Sequence, residues 1–183
     1  MTTINVDDEI LLRRPTLPYA DELFALVDSN RAYLGRWLPW VDYIRAVKDE
    51  REWINGLLDA GAEGWVYPLM IMYKGLLVGS IGILTLGSPD RASEIGYWLA
   101  ENVQGRGIAT RACRTLLDYA FGSRGMNRLQ IRAAVDNTRS RAIPEHLRFT
   151  VEGVQRQAKL LNDDFQDLAV YSMLAAEWQL KRV

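Results

Sequence analysis

Two glycines flank an arginine in Asn102-Val-Gln-Gly-Arg-Gly-Ile-Ala-Thr110, just ahead of an apolar run dotted with arginines. Glycine reaches positive φ without a Cβ clash, so the segment reads first as a turn from a strand into a helix. The same placement suits an anion, because the first amides of a helix lack partners within it and the helix dipole favours negative charge there. On the residues alone both readings stand. Two phosphate loops are set aside. A Walker A loop needs Lys-Ser/Thr after its last glycine, and Ile108-Ala109 stands there. A Rossmann fingerprint needs a third glycine, where Thr110 stands, and opens a βαβ unit rather than following antiparallel strands past mid-chain. A third pattern, Gln-x-x-Gly-x-Ala, is satisfied by Gln104, Gly107 and Ala109.

Other chemistry-bearing residues are sparse. Asn137 and Ser140 have the spacing of a helix start, with Asn137 as N-cap. Glu94 opens a strand and is either a surface strand-end carboxylate or a base. Trp37 and Trp40 flank Leu38-Pro39, and aromatics at such spacing are more often core than site. Asp163, Asp164 and Asp167 read as turn carboxylates, with attraction of a cationic amine as the sharper alternative. Cys113 and His146 are the only residues of their types, which excludes an intrachain disulfide, thiol-rich metal clusters and multi-histidine metal sites. Neither sits in a reactive context, and no metal is expected.

The elements that must carry these residues follow from periodicity. A short strand over Ile10–Arg14 is punctuated by Pro15 and Pro18, with Thr16 as N-cap of a helix over roughly 18–29. A second helix is expected over 31–40, halted by Pro39, and a third over 49–58 with Trp53, Leu57 and Leu58 inward and Gly61 and Gly64 closing it. Strands over 65–73 and 76–84 form a hairpin about Lys74-Gly75, and a further strand over 92–100 follows a turn at 87–91. A helix over 107–123 ends at Gly122 and Gly125. A strand over 129–135, a short helix over 138–147 strained by Pro144, and a closing hairpin of strands 149–158 and 167–175 about 162–164 complete the chain. This is an α+β pattern without repeats or linkers, at 183 residues the length of about one domain.

With 49% apolar and 25% charged residues the mixture is that of a globular protein, and a formal net charge of −1 gives no footprint for nucleic acid or membrane. MTTINVDDE is not a basic region followed by an apolar run, and no stretch approaches the ~18 apolar residues of a membrane span, so a soluble cytoplasmic protein is the expectation.

Taken in order, five segments carry a resemblance: Leu34-Gly-Arg-Trp-Leu-Pro-Trp40, Glu94-Ile-Gly-Tyr-Trp-Leu99, Gln104-Gly-Arg-Gly-Ile-Ala-Thr110, Asn137-Thr-Arg-Ser140 and Arg141-Ala-Ile-Pro-Glu145. Each is weak alone, and their order and spacing make them specific. The chain resembles, over nearly its whole length, the GNAT acetyltransferase superfamily and within it the RimJ/RimL type, the N-terminal acetyltransferases of ribosomal proteins. The resemblance implies one domain over 1–183 with a three-layer α/β/α GNAT fold, whose mixed, mostly antiparallel sheet has splayed central strands. It implies acetyl transfer from the co-substrate acetyl-CoA to an amine in a direct ternary complex.

Residue by residue, the resemblance implies that Gln104 marks a loop whose amides, Gly105, Arg106, Gly107, Ile108, Ala109 and Thr110, cradle the CoA pyrophosphate. The strand Tyr97, Trp98, Leu99 and Ala100 lies along the pantetheine arm, the amide of Leu99 or its neighbour polarising the thioester carbonyl. Asn137 bonds the pantetheine, and Ser140 protonates the departing thiolate. The family places the segment of Trp37 and Trp40 beside the acceptor cleft; the base is not carried over from it, and Glu94, directly or through water, is the candidate read from this chain, beside its reading as a strand-end carboxylate. Two departures bear on the acceptor: Lys159 follows Gln157-Ala158 where RimL-like enzymes carry a glutamate base, and Arg148 replaces the glycine usual before Phe149. The implied acceptor is a ribosomal or other protein N-terminus, with a homodimer as the implied assembly. Small-molecule amines (a polyamine, amino acid or aminoglycoside) and a non-catalytic CoA sensor are the alternatives.

Overall fold

Side-chain alternation along the central strands sets the layers. On the strand at Tyr67–Tyr73, Leu69 and Ile71 enter the main core while Met70 and Met72 pack with Leu23 on the opposite face. The computed structural model describes residues 3–59, 67–84 and 88–180. Its strands are β1 (Thr3–Asn5), β2 (Ile10–Arg13), β3 (Tyr67–Tyr73), β4 (Leu76–Ile83), β5 (Ala92–Leu99), β6 (Arg128–Ala134), β7 (Thr150–Leu161) and β8 (Asp164–Leu174). Helices are α1 (Ala20–Ser29), α2 (Arg31–Leu34), α3 (Val47–Asp59), α4 (Ile108–Asp118), α5 (Thr138–His146) and α6 (Ala175–Leu180).

The sheet runs β1-β2-β3-β4-β5-β6-β8-β7, antiparallel throughout except between β5 and β6. One face is covered by α4 and Trp178 of α6, through Ile108, Ala112, Cys113 and Leu116. The other face receives Leu23 of α1, so the sheet lies between helical layers. The parallel pair is short: Ala92, Ser93 and Glu94 match Arg128, Leu129 and Gln130, and the pairing stops. Beyond Glu94, β5 stays bonded to β4 as far as Leu99, while β6 stays bonded to β8 along its length. The two central strands therefore part like a wedge.

Local chemistry explains most element ends. Lys74 and Gly75, at φ 51° and 83°, make the left-handed pair of a two-residue hairpin turn. Arg148, after the end of α5, sits at φ 59°, the left-handed position that glycine usually fills.

Several expectations are corrected. The helix expected over 31–40 stops at Leu34, because Pro39 drives Leu38 to an extended φ of −126° and the chain turns into a 3-10 segment at Pro39–Tyr43. Arg31 holds that turn with bonds from its guanidinium to the Val41 and Ile44 carbonyls, each 2.6 Å. On α3 the buried residues are Glu50 and Ile54, whereas Trp53 and Leu58 are exposed. Thr16 precedes a 3-10 turn and makes no side-chain cap. The helix after the glycine pair continues past Asp118 as a π-helical turn over Tyr119–Ser123. The hairpin strands run longer than expected, and β1 and α6 were not anticipated. Gly61, Gly64, Trp65 and Gly87 lie outside the described residues.

Candidate active site

The wedge between β5 and β6 opens into a cavity of about 740 Å³, well within the size range of ligand pockets. Its floor is β5. The amide of Ala100 bonds the Val78 carbonyl, and the carbonyl of Glu94 accepts from Leu84, so the even-numbered backbone groups of β5 face β4. By the alternation of a strand, the odd-numbered groups, those of Tyr97 and Leu99, face the wedge. A donor at Leu99 thus points where β6 has already turned away. Ala100, by contrast, is 2% exposed and its amide is already bonded to β4.

At the end of β5 the glycine loop turns the chain into α4. Gly105 and Gly107 stand at φ 74° and 71°, and a Cβ at either would meet open space. Gly107 occupies the N-cap of α4 without any side-chain cap, and the first bond of the helix runs from Arg111 to the Gly107 carbonyl. The amides of Ile108, Ala109 and Thr110 therefore lie ahead of the helical ladder, and all three residues line the cavity. A helix start with left-handed glycines, no cap and empty space in front of it fits a phosphate-bearing ligand. Arg106 lies outside the cavity lining, with its guanidinium 3.3 Å from the Asn102 carbonyl.

Gln104 fastens this mouth. Its amide nitrogen donates to the Tyr33 hydroxyl at 2.5 Å and lies 3.4 Å from the Leu99 carbonyl, and its oxygen accepts from Arg139 at 2.9 Å. One side chain so ties α2, β5 and α5 together. On α5, Asn137 caps the helix, its Oδ1 accepting from the Ser140 amide at 3.1 Å. The helix-start reading of Asn137 and Ser140 is thus realised, and both also line the cavity. The Tyr97 hydroxyl donates to the Ser140 carbonyl at 2.8 Å, and the Ser140 hydroxyl donates to Tyr97 at 3.3 Å.

The opposite face of β5 carries Glu94 and Trp98. Glu94 stands at the last parallel rung, where Arg132 Nε donates to its Oε2 at 2.7 Å and Gln130 donates to the same oxygen at 3.0 Å. Oε1 carries no hydrogen bond among the described residues. Trp98 lines the cavity and meets the Trp40 ring at 6.0 Å between centroids, tilted by 53°. Trp37 lines the cavity as well, whereas Trp40 belongs to the small core of Val27, Leu34 and Val41. Glu94 and Trp40 are not in the cavity lining. From β7, Lys159 reaches across to donate to the Trp37 carbonyl at 3.1 Å, and Asn162 contacts the Gly35 carbonyl at 3.4 Å. Burial pushes the Lys159 ammonium below its ordinary range.

Residues 9–150 match the acetyltransferase (GNAT) domain family. The chain belongs to the GNAT acetyltransferases. YdaF of Bacillus subtilis (strain 168) is 36% identical over 98% of each chain. The ribosomal-protein-serine acetyltransferase of Escherichia coli (strain K12) is 28% identical over 94% of this chain and 96% of its own. Among solved structures, RimL, the ribosomal L7/L12 alpha-N-protein acetyltransferase in complex with coenzyme A, superposes with a TM-score of 0.91 at 27% identity, covering 96% of this chain and 99% of RimL.

This is therefore an N-acetyltransferase, and its donor is acetyl-CoA. Four residues around the cavity and its rim make contacts that were not read from sequence. Tyr33 and Arg139 meet at Gln104, Tyr97 meets Ser140, and Lys159 meets Trp37. Only Tyr97 and Arg139 lay inside a recognisable motif; Tyr33 and Lys159 reach their partners from 71 and 122 residues away. Cys113 is fully buried in α4, where burial pushes its thiol up to about 12. No group of His, Cys, Asp or Glu among the described residues could hold a metal ion, and no described helix is long and apolar enough to cross a membrane.

Proposed function

We propose that the enzyme acetylates the α-amino group of a protein or peptide N-terminus, of the kind carried by ribosomal proteins. The observation that carries this reading is the placement of Glu94 and Ser140 on opposite faces of β5, either side of the wedge that the Leu99 amide faces. An acceptor arrives on the Trp37 and Trp98 face, and the CoA sulfur leaves toward α5. Backbone amides at Gly105–Thr110 and the Gln104 loop hold the pyrophosphate, and the Leu99 amide donates to the thioester oxygen as charge grows on it. Glu94 Oε1 takes the amine proton, directly or through water, while Ser140 supplies a proton to the sulfur. Much of the acceleration is positioning.

The acceptor class follows from acid–base arithmetic. An α-amino group with a pKa near ~8 is about one-tenth neutral at pH 7, whereas a lysine at ~10.4 is neutral only about once in 2,500. An amine that is already partly neutral needs only a modest acceptor for its proton, and a single carboxylate suits the first group. The similarity across the chain to a ribosomal-protein-serine acetyltransferase and to a ribosomal L7/L12 alpha-N-protein acetyltransferase points the same way.

We further propose that the whole chain acts as one domain, in the cytoplasm, as a homodimer. Exposed apolar side chains on β7 and β8, at Val151, Val154 and Phe165, supply a surface for a second copy. Acetyl-CoA turnover against a panel of peptides and polyamines, read as released thiol, tests the function. Release with free peptide N-termini supports it. Release with polyamines alone defeats it, and tight CoA binding without release on any amine makes the protein a sensor.

A further inference from the structure

We infer that Tyr97 is a positioning residue that presents the Ser140 hydroxyl to the departing CoA sulfur. The inference rests on the proposed role of Ser140 and adds to it a role for the Tyr97 hydroxyl.

Tyr97 lies on the stretch of β5 that has lost β6 as a neighbour, and its side chain crosses beneath the wedge to α5. A phenol has one hydrogen to give. The shorter contact, 2.8 Å, places that hydrogen on the Ser140 carbonyl. The phenol oxygen is then an acceptor only, and the Ser140 hydroxyl donates to it at 3.3 Å. Ser140 is thereby held from three sides: its amide by Asn137 Oδ1, its carbonyl by Tyr97, and its hydroxyl by Tyr97 again.

The two Tyr97 contacts differ in strength. Hydroxyl bonds are strongest near ~2.7–2.8 Å and fade with distance. The carbonyl bond fixes the residue, whereas the hydroxyl bond at 3.3 Å is loose enough to be exchanged for a stronger acceptor. A thiolate is such an acceptor, since bonds to ionised groups are about twice as strong as neutral ones. In the transfer the amine nitrogen bonds the acetyl carbon, the carbon–sulfur bond breaks, and its electron pair leaves on sulfur. Ser140 Oγ–H swings from Tyr97 to the sulfur and gives its proton; the nitrogen loses its own to Glu94 or water, and Ser140 recovers one from solvent. Tyr97 keeps its proton throughout, because burial raises its phenol well above the ordinary range.

A double-variant cycle separates this role from simple packing. Ser140→Ala is expected to lower kcat by about 10²-fold. Tyr97→Phe, which keeps the ring, is expected to lower kcat about fivefold to tenfold with KM for acetyl-CoA within about twofold. The double variant should match Ser140→Ala, because Tyr97 acts only through the hydroxyl already removed. A second readout needs no turnover: the thiol of bound CoA, titrated by its thiolate absorbance, should ionise at lower pH in the wild type than in either single variant. Equal thiol ionisation in all three proteins, or losses that multiply in the double variant, overturns the inference. An unaltered rate in Ser140→Ala overturns the reading of Ser140 itself. A slow Ser140→Ala beside a normal Tyr97→Phe overturns only the role of Tyr97.

Discussion

Arg132 Nε donates to Glu94 Oε2 across 2.7 Å at the last rung where β5 and β6 still pair. The bond fixes the carboxylate beside the wedge, and its second oxygen is the one proposed to take the amine proton. Glu94→Gln keeps the shape and removes the basicity. It is expected to lower kcat by about 10²–10⁴-fold, the usual range for general-base help, with the affinity for acetyl-CoA unchanged. A fall of less than about threefold in steady-state kinetics would return Glu94 to the status of a strand-end carboxylate.

Gly107→Glu should abolish CoA binding in calorimetry while the protein stays folded. Its carboxylate would stand in the open space before the α4 amides, where an anion is expected. Gly107→Ala is the control. It carries only the strain of a Cβ at φ 71°, about 1 kcal/mol, and should retain most of the CoA affinity.

Lys159→Met removes the ammonium that bonds the Trp37 carbonyl and keeps the apolar stem. The Trp37 segment then loses its tie to β7. KM for the peptide acceptor should rise several-fold while CoA affinity holds, because the tie lies on the face proposed for the acceptor. An equal loss in both would mean that Lys159 supports the whole site.

Glu50 gives the protein a pH signature away from the active site. It is 3% exposed on α3, and burial raises its carboxyl from 4.5 to about 7. A raised acid favours the protonated folded form. Its contribution is complete below about 4.5 and is lost as pH climbs toward about 7. The loss at neutral pH and above is on the order of 3 kcal/mol. Asp7, Glu9, Asp49 and Glu152 are shifted the other way, so their contributions change in the acid range below about 4.5. The Tm of the wild type should therefore fall between pH 5 and about 7.5, and Glu50→Gln should flatten that fall. A parallel fall in both proteins would contradict it.

The left-handed glycine turn and the capped start of α5 were legible because their geometry is local. Gln104 to Thr110 and Asn137 to Ser140 are short runs in which spacing dictates a turn, a helix start and their orphan amides. The wedge was legible only through resemblance, since the end of the β5–β6 pairing depends on two strands 36 residues apart. The surroundings of the two tryptophans before β3 were least legible. Trp37 and Trp40 looked equivalent in sequence, yet Arg31 and Pro39 turn the chain so that one lines the cavity and the other packs in a core. On α3, a periodic apolar count chose Trp53 and Leu58 and passed over a buried glutamate, because propensity carries no record of which face α1 covers.

The proposed destination of the acetyl group is an α-amino nitrogen. Its most direct test is tandem mass spectrometry of a single peptide carrying a free N-terminus and an internal lysine, after incubation with acetyl-CoA and enzyme near pH 7. Acetyl is expected on the N-terminal residue alone, and none when the same peptide is N-formylated. Acetyl on the lysine side chain of either peptide would contradict it.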